Sequence, residues 1–361
     1  MTTRKTADTK QTAPRPRNTR RGSRRPRNFQ GPDAYQRVTD QILEHLDAGT
    51  VPWRCPYRRH TDGTTAPPTN AVTRNHYRGI NVPILNLACH AAGYRFNRWM
   101  TFNQAKARGG QVRRGERGTY TVFHAPVKVE DRQTGEPIRV FVARGSSVFN
   151  VAQIDGLSPR VVTGQVDAVP DEAQDLVGFE PGPVPAEATD AATGSAAALV
   201  GRYLQGGKGP TLEVRYGTPC YVPSIDAVHS PPAYVYESTA AHYATIFHEF
   251  AHSTGHPDRL NRFKVGEPFH REAYAYEELV AEFAAAVLMG VTGLDQARDE
   301  ADGGNDQVQQ SAAYIDGWRK ALRQDPKLLI RAASAGHRAA DWIQGVRYDA
   351  AAEGRPADAE G

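Results

Sequence analysis

Apolar and polar residues alternate along this chain with two periods, and the switches between them outline its elements. From Asp33, the apolar positions Tyr35, Val38, Ile42, Leu43 and Leu46 recur every three or four residues until Gly49, which predicts an amphipathic helix with a glycine stop. YRGINVPILNLACHAAGY predicts a turn into a second helix, with Ile84, Leu85, Leu87 and Ala88 inward and Gly93 at its end. RWMTFNQAKARGGQVRRGERG adds a short helix and a glycine-rich basic loop. The period then drops to two: 119–130 and 137–142 predict strands joined by the polar turn DRQTGE, and 148–157 a closing strand. Residues 158–197, rich in Pro, Gly, Ala and acid, carry neither period and read as a linker. LEVRYGTPCYVPSIDAVHSP predicts a small hairpin and an edge strand. Helical spacing then returns in Ala240–Phe247, in Tyr276–Gly290 and in two closing amphipathic helices, whose Tyr314, Ile315, Trp318, Leu322, Leu328, Leu329 and Trp342 are expected in the core.

The expected fold class is α+β. A small α+β domain (31–157) precedes a mainly helical one (198–347), with a disordered basic arm (1–30) and a disordered tail (348–361) outside them. The length of 361 residues accommodates two cores. No apolar run approaches a membrane span, and the basic N-terminus lacks the apolar stretch of a secretory signal. Cys55, Cys89 and Cys220 form no C-x-x-C and read as reduced thiols, so a cytoplasmic protein is expected. The net charge of +4 conceals a division: residues 1–165 hold 28 Lys or Arg against 11 Asp or Glu, and the remainder 16 against 29. The first half suits a polyanion; the second does not.

One stretch of the acidic half carries metal chemistry. His248, Glu249 and His252 form H-E-x-x-H, and on a helix two histidines four residues apart grip one Zn²⁺, with another divalent ion as substitute. Glu249 is placed to take a proton from water that such an ion activates. Ser238 or Thr239 can cap this helix, and Gly255 stands where a left-handed residue would end it. A third ligand must come from elsewhere. Glu278, in an E-x-x-x-E with Glu282 on one helical face, matches the arrangement of thermolysin-like sites, in which the first carboxylate binds metal and the second orients a histidine. Asp258 competes, because H-E-x-x-H-x-x-G-x-x-D resembles the metzincin pattern, although Met289, the nearest counterpart of a Met-turn, lies within a helix. His256 follows the glycine and reads as a supporting group.

In 33–157 aromatic residues and arginines interleave. Trp53, Tyr77, Trp99 and Phe102 stand beside Arg54, Arg78 and Arg98, and Arg113 and Arg114 lie in a glycine-rich loop. Single-stranded nucleic acid requires this combination: rings stack on bases while cations follow the phosphates. Trp53, Tyr77, Arg78, Trp99, Phe102, Arg113 and Arg114 are therefore the candidate DNA contacts, with Trp99 and Phe102 equally able to serve as core anchors. The seven arginines from Arg15 to Arg27 would add sequence-independent attraction to phosphates.

Several separate motifs in order, DAYQRVTDQI, VPWRCPY, YRGIN, WMTFNQAKARGGQVRRGERG and FNVAQIDGL, then HEFAHSTGHPDRLNR, YEELVAEF and SAAYIDGW with AADWI, resemble the ArdC-type antirestriction proteins of plasmids and other mobile elements over about residues 33–346. The Arg-rich arm and acidic linker depart from that pattern. The resemblance implies a single-stranded-DNA-binding domain followed by a zincin-like metallopeptidase domain, with His248, His252 and Glu278 as zinc ligands and Glu249 as catalytic acid/base. It also implies protection of entering DNA from host restriction and an unidentified protein substrate. The rival reading is a DNA-binding protein whose metal is only structural.

Overall fold

The computed structural model describes residues 34–54, 58–59, 65–130, 137–164, 186–263, 271–295 and 307–346. The expectations for the basic arm, Cys55, the DRQTGE turn, the side chain of Tyr314 and the tail lie outside them.

The basic half follows its alternation. Helix α1 (Ala34–Asp47) buries Val38, Ile42, Leu43 and Leu46 on one stripe. A single 3-10 turn, Pro52–Arg54, leads through the short pair β1 (Arg58–Arg59) and β2 (Thr65–Ala66) to β3 (Thr69–Asn70) and helix α2 (Asn81–Ala91). There follow β4 (Arg98–Thr101), α3 (Phe102–Ala107), β5 (Gln111–Val112), β6 (Thr119–Glu130), β7 (Pro137–Asn150), β8 (Ile154–Asp155) and α4 (Pro159–Thr163). Four strands form one sheet in the order β3-β4-β7-β6, and β5 pairs with β8. The β6–β7 hairpin runs in register from Thr119 opposite Val148 to Glu130 opposite Pro137. The expected second strand was too short and the closing strand misplaced, because β7 continues to Asn150, where a side-chain cap starts a 3-10 turn.

The linker expectation is corrected at its C-terminal end, residues 165–185 lying outside the described ones. Residues 186–197 belong to helix α5 (Ala186–Gln205), which buries Ala192, Ala196, Leu199 and Tyr203. Alanine is the best helix former, so the Ala-rich composition that looked loose is what builds this element. Strands β9 (Thr211–Val214), β10 (Cys220–Val222) and β11 (Ala227–Ser230) form a second sheet in the order β10-β11-β9, leaving β10 on an edge. Then come α6 (Thr239–Ser253), α7 (Arg271–Thr292), α8 (Gln307–Gln324) and α9 (Pro326–Gln344). Helix α7 is the hub. Its Ala281, Ala284 and Leu288 pack in one cluster with Phe247 and Phe250 of α6 and with α5, and its Leu279, Val280 and Phe283 pack in another with α1, α8 and α9. At Gly336 of α9 an added Cβ would lie 2.6 Å from the Phe283 Cβ and 2.7 Å from the Val280 carbonyl oxygen, so the α7 and α9 backbones meet at a glycine.

The second of these cores joins the two halves of the chain, since Val38, Ile42, Leu46 and Trp53 pack with Leu279, Phe283, Trp318 and Leu329. Each such large buried side chain contributes about 1.5–3 kcal/mol. Among the described residues no helix is long and apolar enough to cross a membrane.

Candidate metal centre and nucleic-acid surface

Helix α6 is set up by its start and its buried face. The Ser238 Oγ accepts a hydrogen bond from the Ala241 N–H at 3.0 Å, while Ile246, Phe247, Phe250 and Ala251 anchor the helix in the core. His248 and His252 are thereby fixed one turn apart, with their Nε2 atoms 3.1 Å from each other. Glu278 on α7 completes the group: its Oε2 lies 3.5 Å from His248 Nε2 and its Oε1 3.6 Å from His252 Nε2. Three donors of these types could hold one divalent ion. Ligands about 2.1 Å from a tetrahedral ion stand roughly 3.4 Å apart, so the observed spacing fits a zinc-sized cation.

Acidic groups surround both imidazoles. Glu277 Oε1 stands 3.4 Å from His252 Nδ1, and Glu282 Oε1 3.6 Å from His248 Nδ1. Burial works against a charged His248, but the hydrogen bond to Glu278 and the charges of Glu282 and Glu249 outweigh it and push its pKa up to about 9. Burial likewise opposes ionisation of Glu278, yet its bond to His248 and the two imidazoles hold the carboxyl below its usual range. Glu249 is buried beside the group, and its Oε2 accepts the Tyr221 N–H of edge strand β10 at 2.8 Å.

Asp258 and His256 are not brought to the group. Asp258 extends into solvent, 89 % exposed and 3.7 Å from His256 Nδ1, because α6 ends first and the chain turns away. That end is not left-handed as expected: Gly255 is absent from the positive-φ glycines, and its lack of a side chain instead admits the Phe263 ring, 2.6 Å from where a Cβ would stand. Sequence reasoning missed Glu277, Arg262 and Arg259. Arg262 binds both Glu277 oxygens, at 2.6 and 3.0 Å. Arg259, almost fully buried, joins Asp226, the Tyr221 hydroxyl and the Ser253 carbonyl, tying the β10–β11 turn to the end of α6. In the sequence the two arginines are marked only by following H-E-x-x-H closely, and Glu277 only by preceding Glu278.

The candidate DNA contacts divide. Trp53 and Trp99 are corrected: at 4 % and 0 % exposure neither offers a ring face to a base. Trp53 packs on Phe283 and Trp318, and Trp99 donates its indole N–H to Asn97 in the core. Tyr77 is half-buried and accepts from Asn70, and Arg78 pairs with Asp341 of α9. Arg113 is drawn inward by Glu116 at 2.8 Å, Asp155 at 3.3 Å and the Ala152 carbonyl at 2.6 Å, so it braces the loop that it was expected to charge. Phe102 and Arg114 remain outside. Phe102 is 54 % exposed at the start of α3, where Thr101 and Gln104 form a capping box, and Arg114 is exposed with Lys106, Arg108 and Arg117 nearby in sequence.

Comparison with known proteins places two families on the chain. Residues 32–149 match the model of the N-terminal domain of anti-restriction factor ArdC, and residues 206–335 that of a zincin-like metallopeptidase. Crystal structures of the antirestriction ArdC protein from the R388 plasmid, metal-free and Mn(II)-bound, are 33 % and 32 % identical, with TM-scores of 0.60 and 0.61. They cover 86 % and 87 % of this chain and 97 % and 98 % of their own. Protein y4eC of Sinorhizobium fredii is 32 % identical over 329 residues, 88 % of this chain and 94 % of that protein. DNA primase TraC of Escherichia coli is 34 % identical over 332 residues, but the match spans only 27 % of its length. The chain belongs to the ArdC antirestriction family, with an ArdC-type N-terminal domain followed by a zincin-like metallopeptidase domain.

Proposed function

We propose that this protein binds single-stranded DNA through its basic half and hydrolyses peptide bonds in a protein target, protecting incoming mobile-element DNA from host restriction. The convergence of His248, His252 and Glu278 beside Glu249 carries the enzymatic part. A divalent cation held there supplies Lewis acidity, polarising the scissile carbonyl and lowering the pKa of water toward about 7. Zinc suits the donors, and the Mn(II)-bound R388 relative makes manganese the second choice. Three protein donors also suit a catalytic centre better than a closed structural one. Glu249 takes the proton of the attacking water and delivers it to the leaving nitrogen, while the Tyr221 N–H holds its carboxylate in place.

Phe102 and Arg114 support the DNA reading, because an exposed ring among exposed cations suits unpaired bases and their phosphates. Attachment to the strand would raise the peptidase's concentration around proteins on the same DNA. The test is transfer of a restriction-sensitive plasmid into a restricting host with Glu249→Gln. The variant should lose protection while still binding single strands and one zinc per chain. Undiminished protection would favour a DNA-binding protein with a structural metal.

A further inference from the structure

Each imidazole of the centre is backed by a carboxylate, and each carboxylate by an arginine. Behind His252 stand Glu277 and then Arg262, both within the metallopeptidase segment 206–335. Behind His248 stands Glu282, and Glu282 Oε2 lies 3.4 Å from Nη2 of Arg54. Arg54 belongs to the ArdC-type segment 32–149. Its neighbour sets its position: the buried Trp53 indole lies 4.9 Å from the ring of Phe283, the residue after Glu282, and 5.3 Å from Trp318. Both residues sit in one 3-10 turn, closed by the Arg54 N–H on the Val51 carbonyl, so seating the indole also aims the guanidinium. Arg54 and Glu282 are both mostly shielded, at 28 % and 20 % side-chain exposure.

We propose that Arg54 is a positioning residue for the metal centre: through Glu282 it fixes the His248 imidazole, so that the N-terminal domain completes the metallopeptidase site. A carboxylate charge 3.6 Å from Nδ1 favours the proton on that nitrogen and leaves the Nε2 lone pair for the ion, and loss of such outer partners costs roughly 10- to 100-fold in metal affinity. Without the guanidinium, Glu282 loses this ion pair. The inference rests on the metal-centre reading of His248, His252 and Glu278.

The test is zinc affinity of the full chain near neutral pH, by competition with a chromophoric chelator, for wild type, Arg54→Met, Arg54→Lys, Glu282→Gln, the Arg54→Met/Glu282→Gln double variant and His252→Ala. Arg54→Met should weaken zinc binding about tenfold, and Arg54→Lys should recover most of the loss by restoring the charge. The double variant should bind no more weakly than Glu282→Gln, because both substitutions act on one path. Wild-type affinity in Arg54→Met, or losses that add in the double variant, would overturn the proposal while leaving the centre intact. Should Arg54→Met fold poorly, Glu282→Gln decides, and wild-type affinity there overturns it. A wild-type chain that binds no zinc, or His252→Ala binding it undiminished, sinks the metal-centre reading itself.

Discussion

Trp99 and Phe102 lie three residues apart and have opposite fates, and the difference decides how the DNA surface should be probed. Phe102→Ala removes an exposed ring and should cost about 1–3 kcal/mol of single-strand affinity if a base stacks there. Arg114→Ala removes one exposed cation and should flatten the salt dependence by about 0.7 of a logarithmic unit. Fluorescence anisotropy over a salt series measures both, and an unchanged slope would take the loop out of the interface. What could be read at this scale was whatever is local. H-E-x-x-H places its side chains by helical spacing alone, and Glu278 declared itself through a second helical pair. Arg54, Glu277 and Arg262 reach the centre only because α7 packs where it does. Trp53 and Trp99 beside arginines look alike in sequence whether they are surface or core; burial separates them.

Among the elements, packing between α7 and α9 makes the sharpest forecast. Gly336→Ala would push a methyl into the Phe283 Cβ and the Val280 carbonyl, costing about 1–3 kcal/mol and lowering Tm. Gly317→Ala on the exposed face of α8, where nothing lies within 4 Å, should instead stabilise by roughly 0.5–1 kcal/mol. Calorimetry on the two variants checks the helix interface, and equal effects would contradict it. The β6–β7 hairpin and the helices from α6 onward were legible because each carries a full period of its own. Helix α5 was not, since alanine, glycine and acid give it little apolar contrast until it meets α6 and α7.

For the molecule as a whole, two histidines pull stability in opposite directions with pH. His248 is raised in the folded, metal-free protein from 6.5 to about 9, so its contribution is complete below about 6.5 and disappears as pH rises through about 9. Cation binding needs the neutral imidazole, so zinc affinity should climb over the same interval and binding should release protons. His337 behaves inversely. Burial, then the charges of Arg78 and His76, lower it to about 3, and its Nδ1 accepts the Gly79 N–H. The unfolded chain therefore takes up a proton first, and stability should fall as pH drops below about 6.5. Thermal melts across pH should show both limbs, the alkaline one lifted by zinc and the acid one flattened in His337→Asn; an acid limb unchanged in that variant would remove His337 from the account. His337 and Asp341, on the part of α9 beyond the metallopeptidase segment 206–335, also hold the Arg78–Gly79 turn of the ArdC-type segment.

The central claim is that His248, His252 and Glu278 share one ion. Zinc stoichiometry of the purified full chain, by elemental analysis after dialysis against limiting metal, tests it in wild type, Glu278→Gln and Asp258→Asn. One equivalent in wild type and in Asp258→Asn, with loss in Glu278→Gln, is the predicted result. Retention in Glu278→Gln together with loss in Asp258→Asn would contradict it.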